Sequence, residues 1–246
     1  MRALIEFFFT NLPTPRDAIL LGPPAILWAL AWLTLAGYLK RHRHWPTGYT
    51  RKVFHFGIFF TAGVLQVVGG TRAVCLFGAM TTVVIAFALL RGGGDMVYEA
   101  IAREKDAPHR THYIVVPYIA TLIGGILSTI WFGPAALAGF LVTGVGDAIG
   151  EPVGTRFGQH TYRVPALRGV TCTRSWEGSC AVFAVSAVAV FVSLLLLGHE
   201  PGFVRAALLA VAIGFASAVC EALSPHGWDN ATMQIVPSAL VYWAIG

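Results

Sequence analysis

Four short polar passages hold the residue types from which a site for a charged ligand can be built. In GVGDAIGEPVGTRFG, Asp147 and Glu151 stand four residues apart, a spacing that puts both carboxylates on one face of a helix. Two carboxylates and a phosphate are a usual setting for Mg²⁺, with water completing the octahedron. The plainer alternative is a polar helix end facing solvent, with one carboxylate paired to a nearby arginine. Glycines recur at 146, 150, 154 and 158. That stripe suits close helix packing, or lets backbone N–H groups approach phosphate oxygens; early glycines can pack while Gly154 and Gly158 open into a loop.

The second passage is TRSWEGS, just before a strongly apolar run. Ser175 can cap the helix that follows, with Glu177 in its first turn. Alternatively Arg174 grips a phosphate and Glu177 joins a metal shell. In the third, RKVFHFG, Arg51 and Lys52 either snorkel at the bilayer interface or neutralise phosphate. His55 lies one turn into an apolar run, where an unpaired imidazole is costly; it can bind phosphate or receive a proton. In the fourth, EALSPHGWDN, Glu221 ends one apolar run and Asp229–Asn230 open the next. Asp229 can be a helix cap and Asn230 a loop amide, or this group closes the site from the opposite side as metal ligand or general base. The 91–112 segment mixes acids and bases and reads as a solvated charged loop, with Arg103 as the exception.

The elements that must position these residues lie in a membrane. Of 246 residues 56% are hydrophobic and 12% charged, with mean hydropathy +0.69; a soluble domain carries about 25% charged residues. A crossing takes about 20 apolar residues. Candidate spans are 18–39, 53–69, 72–90, 113–131, 134–150, 180–197, 203–223 and 231–245, giving an all-α bundle of seven to eight transmembrane helices in a single membrane domain. The net charge of +5 comes from bases in short loops, which argues for topology signals and anionic headgroups or phosphates over nucleic acid. The four cysteines, 75, 172, 180 and 220, form no CxxC pair and are read as unpaired thiols.

Thirteen of the 17 Lys and Arg fall in the loops after spans one, three and five. With eight spans those loops share one side, which the positive-inside rule makes cytoplasmic. The loop after span seven falls on that side too. All the polar passages then converge on the face where nucleotides are found, next to a bilayer that holds lipid.

These passages resemble the CTP-dependent lipid kinase family that includes dolichol kinase, phytol kinase and the CTP-using diacylglycerol kinase. RKVFHFG is similar to RKxxHxxxG of that family, GDAIGEPVGTRFG to GDxxAxxxGxxxG, and TRSWEGS to KSxEGS or KSWAGS. EALSPHGWDN resembles its closing segment. Gly150 stands in place of Ala and Arg174 in place of Lys. The resemblance implies a multi-pass membrane kinase, bacterial inner membrane in setting. It would move the γ-phosphoryl of CTP, or another NTP, to an isoprenoid alcohol such as phytol, farnesol or a polyprenol. Trp176 and Ser179 tilt the likeness towards phytol kinase. The expected site has Asp147, Glu151 and Glu177 on Mg²⁺. Arg51, Lys52, Gly154, Gly158, Arg156, Arg174, Ser175, Gly178 and Asn230 would meet the nucleotide, with Asp229 and His55 at the alcohol. Arg156 and Arg163 are preferred to Arg168 as neighbours of that site. The alternatives are a phosphatidate cytidylyltransferase, using the same CTP and Mg²⁺, and a transporter with Asp147 and Glu151 as coupling site.

Overall fold

Residues 2–165, 172–198 and 202–245 are described in the computed structural model, so Arg168 lies outside the described residues. Among the described residues the chain is all-α apart from one short hairpin. Among the described residues, five helical runs are long and apolar enough to cross a membrane: Pro15–Arg43, Thr47–Arg91, His112–Phe157, Trp176–Leu196 and Phe203–Leu223. Two of them, at 45 and 46 residues, have more than twice the length a crossing takes. Each is interrupted near its middle by a glycine in the left-handed region, Gly70 with φ 66° and Gly133 with φ 52°. An L side chain is strained at such a φ, and glycine is not.

The chain divides into two units, Met1–Ile114 and Val115–Gly246. The first holds α1 (Arg2–Asn11), α2 (Pro15–Arg43), α3 (Thr47–Arg91) and α4 (Met96–Glu99). A capping box opens α2: Thr14 Oγ1 accepts from Asp17 N, and Asp17 accepts from Thr14 N. Gly57 lets α3 approach the ring of Trp32 on α2 so closely that any Cβ would strike the indole.

The 91–112 segment is not the solvated loop its composition suggests. Arg103 and Asp106 are 5% and 2% exposed, joined by two parallel bonds of 2.9 and 3.0 Å. Lys40 reaches Glu104 at 2.6 Å, and Arg110 reaches Glu99 at 2.6 Å. The Arg110 guanidinium, opposed by partial burial, holds the Glu99 carboxyl down to about 2. Opposite charge lets Arg103 and Asp106 leave water while Glu104 stays exposed, and a linear reading of composition does not show which charges will meet.

The second unit takes in α5 (His112–Phe132) from Val115 on, then α6 (Ala136–Leu141), a π-helical turn (Val142–Asp147) and α7 (Ala148–Phe157). The antiparallel strands β1 (Thr161–Val164) and β2 (Cys172–Ser175) follow, then α8 (Trp176–Leu196), α9 (Phe203–Leu223) and α10 (Asp229–Ile245). Lipid tails give little hydrophobic drive between helices, so small residues at the seams matter. Gly214 lets α9 meet the backbone of α8 at Ala187, and Gly124 lets α5 meet α10 at Ala231. On α9 the large residues Leu208, Val211, Phe215 and Val219 face outward. Ala206, Ala210, Ile213, Ser217 and Glu221 are buried. Glu221 therefore sits on the inward stripe of an apolar helix, where a carboxylate is rare unless it has a partner or a task.

Candidate phosphoryl-transfer centre

Three carboxylates from three different elements meet in the second unit. Asp147 ends the π-helical turn, Glu221 lies near the C-terminus of α9, and Asp229 opens α10. Each offers an oxygen within 4.8 Å of the others, and the residues are 5%, 6% and 8% exposed. A π turn adds a residue to the helical circuit and is common at functional sites; here it delivers Asp147 to the cluster.

Arg174 enters from β2. Its Nε donates to Glu221 Oε1 and its Nη2 to Asp229 Oδ2, both at 2.7 Å. Burial alone would lower the Arg174 pKa, but the charges of Glu221, Asp229 and Asp147 outweigh it and raise it. The guanidinium is thus cationic throughout the physiological range. Its third nitrogen, Nη1, is buried and has no hydrogen-bond partner among the described residues. A planar fork that holds two carboxylates with a donor to spare suits a further oxyanion. Three convergent carboxylate oxygens are the donor set a hard divalent cation takes, so the residues present fit Mg²⁺.

The phytol kinase of Synechocystis sp. is 30% identical to this chain over 206 residues, covering 81% of this chain and 80% of that protein. The chain belongs to the phytol/polyprenol kinase family. No protein-family model matches it, and no solved structure does.

The four passages that carry the family likeness fare differently in the structure. The glycine stripe runs along α8. A Cβ at Gly146 would strike the Ser186 hydroxyl, and one at Gly150 would come within 2.7 Å of Val182. At Gly154 it would come within 2.8 Å of the Ser175 hydroxyl. Gly154 lies inside α7, while Gly158 is the extended residue that ends α7 and begins the short loop before β1; a Cβ at either would crowd Ser175, so both also serve close packing. Gly178 continues the seam from the α8 side, with Gly150 O 2.8 Å from its would-be Cβ.

Ser175 is the N-cap of α8 and accepts from Gly178 N at 3.1 Å. Glu177 binds His160 Nδ1 at 2.8 Å and accepts from the His160 backbone N–H at 3.3 Å. Glu151 is half-buried on α7. Neither Glu151 nor Glu177 belongs to the triad that Asp147 forms. Asn230 donates to Pro117 O at 3.2 Å and to Thr121 Oγ1 at 2.8 Å, tying α10 to α5.

Arg156 is exposed, with its guanidinium over the Phe157 ring, and Arg163 is exposed on β1. Arg51, Lys52 and His55 belong to the first unit on α3. Lys52 is 5% exposed, so it does not snorkel outward. His55 is half-buried, with its ring 4.6 Å from that of Phe59.

Sequence reading brings Asp147, Arg174, Glu221 and Asp229 to one site but pairs Asp147 with Glu151 and Glu177, because the contacts that join it to Glu221 and Asp229 cross between helices. It missed the hairpin. The alternation in TYRV is the only trace of it, and four residues are too few to tell a strand from a loop.

Proposed function

We propose that this chain is an integral membrane kinase that moves the γ-phosphoryl of CTP, or of another NTP, to the hydroxyl of an isoprenoid alcohol such as phytol, farnesol or a polyprenol. The observation that carries the reading is the buried Asp147–Glu221–Asp229 triad with Arg174 in it, in a chain related to a phytol kinase. Phosphoryl transfer asks mainly for alignment and charge neutralisation. Asp147, with Glu221 and Asp229, would hold Mg²⁺. When bound, the ion would offset charge on the phosphates. Arg174 would offer Nη1 to a phosphate oxygen while Glu221 and Asp229 fix its plane. Asp229, fixed through Arg174 and the Asn230 N–H, would orient the acceptor hydroxyl.

The breaks at Gly70 and Gly133 would divide the two long runs into separate crossings. With α10 they would make eight and put the basic loops on the cytoplasmic face, where nucleotides are. The acceptor's hydrocarbon would stay among the helices.

The test uses purified protein in detergent with Mg²⁺, CTP labelled at the γ-phosphate or in the base, and a panel of phytol, farnesol, geranylgeraniol, undecaprenol, diacylglycerol and phosphatidate. The expected result is γ-label alone entering an isoprenoid product, lost in Asp147→Asn. Base label entering lipid with phosphatidate would overturn the kinase reading in favour of cytidylyl transfer.

A further inference from the structure

An isolated two-stranded hairpin is marginal in water, yet β1–β2 carries the arginine on which the acidic cluster closes. Its fixings are therefore worth locating. At its outer end, Trp176 N donates to His160 O at 3.0 Å, and Glu177 binds His160. At its other end, His226 N donates to Pro165 O at 2.8 Å, anchoring the strand to the turn before α10. Between them, the Tyr162 hydroxyl and Ser179 Oγ share a hydrogen bond of 2.6 Å.

Tyr162 stands directly opposite Arg174 in the antiparallel register. Opposed residues of such a pair project from the same face, with Cβ atoms about 5 Å apart. The two side chains therefore leave the hairpin together, Arg174 towards Glu221 and Asp229, and Tyr162 towards the first turn of α8. The Tyr162 ring also packs against Trp176, centroids 5.4 Å apart. Burial pushes the Tyr162 phenol up, the Ser179 hydroxyl opposes it, and the charges of Glu221 and Arg174 both reach it. The strand register puts Tyr162 beside Arg174.

We propose that Tyr162, held by Ser179, is a positioning residue for Arg174: its ring and hydroxyl fix the hairpin face so that the guanidinium meets Glu221 and Asp229 and keeps Nη1 turned to an incoming phosphate. The link to phosphate rests on the kinase reading; the hold on Arg174 does not. Tyr162→Phe keeps the ring beside Trp176 and removes only the hydroxyl, so the fold survives the test. Ser179→Ala removes the same bond from the other side.

The experiment has two parts. Phenylglyoxal labelling of the full chain in detergent, read peptide by peptide by mass spectrometry, gives the reactivity of Arg174 beside that of the exposed Arg156 and Arg163. Both variants should raise Arg174 labelling at least fivefold and leave the two controls unchanged. Unchanged Arg174 labelling in both variants, or an equal rise at all three arginines, overturns the proposal. In the transfer assay, Tyr162→Phe should raise the nucleotide KM about tenfold with kcat within twofold, and add nothing in an Arg174→Gln background. An equal loss in both backgrounds would mean that Tyr162 acts independently of Arg174 and would overturn the proposal. Absence of any γ-phosphoryl transfer by the wild-type chain would instead count against the kinase reading, while the labelling still decides what holds Arg174.

Discussion

The two units of this chain arrange their charges in opposite ways. In the first, carboxylates converge on cations: Asp106 on Arg103, Glu104 on Lys40, Glu99 on Arg110. In the second, carboxylates converge on one another, with oxygens of Asp147, Glu221 and Asp229 all within 4.8 Å and a single guanidinium bridging two of them. Giving each carboxylate an opposite charge, with Lys40 shared between Glu104 and Glu99, fixes a loop without any ligand. Gathering like charges costs stability in the apo protein and makes sense where a cation and an oxyanion are to be received. The first arrangement is that of a structural clamp, the second that of a site.

The contrast breaks most sharply at Asp147. Asp147→Asn should cut γ-phosphoryl transfer by about 10²–10³, the scale for losing one preorganised electrostatic group. Glu221→Gln should do comparable damage, with the fold retained by circular dichroism. If Glu221→Gln were silent while Glu99→Gln abolished transfer, the roles assigned to the two regions would be reversed.

Arg174→Lys tests the fork next. Lysine keeps the charge but cannot hold Glu221 and Asp229 in one plane while offering a third donor. The loss of about one charge-assisted hydrogen bond predicts a 10- to 100-fold fall in kcat/KM. Activity equal to wild type would mean that only the charge matters.

Two smaller effects concern stability. At Gly214 an added Cβ would lie 2.7–2.8 Å from the Ala187 backbone, so Gly214→Ala should destabilise the α8–α9 seam by about 1–3 kcal/mol, read as a lowered Tm in detergent. Glu99→Gln should cost about 1 kcal/mol at pH 7, as expected of a partly exposed ion pair. The sign with pH is fixed by direction. The Glu99 carboxyl is held below its ordinary value of 4.5, at about 2. Its contribution is therefore full above that ordinary value and lost as pH falls through the folded one. The stability gap between wild type and Glu99→Gln should close between those two values; a gap that widened on acidification would contradict the pairing.

The apolar helical runs are legible in the sequence, because apolar stretches bounded by charge are a local signal. The sequence counts seven to eight spans, however, where five runs among the described residues are long and apolar enough to cross, two of them merging adjacent predicted spans. It also singled out the four charged members of the centre, because each stands at the edge of such a run. What it could not show was partnership. Asp147 and Glu151 look like a pair from helical spacing, yet the triad unites Asp147 with Glu221 and Asp229, 74 and 82 residues further on. The glycine stripe allows phosphate approach, helix packing or both, and the nearness of Ser186, Val182 and Ser175 shows the packing. Asn230, read from sequence as a loop amide or a member of the site, ties α10 to α5. Arg103, the exception in a segment that reads as solvated, is buried with Asp106, which the composition does not single out.

The most direct test of the centre is Mn²⁺ binding to the full chain in detergent with nucleotide present, followed by electron paramagnetic resonance. One tightly bound ion per chain is expected, weakened at least tenfold in Asp147→Asn, Glu221→Gln and Asp229→Asn, and unchanged in Glu151→Gln and Glu177→Gln. Loss of binding in Glu151→Gln or Glu177→Gln, with Glu221→Gln unaffected, would contradict the triad and return the metal to the carboxylates that sequence spacing suggests.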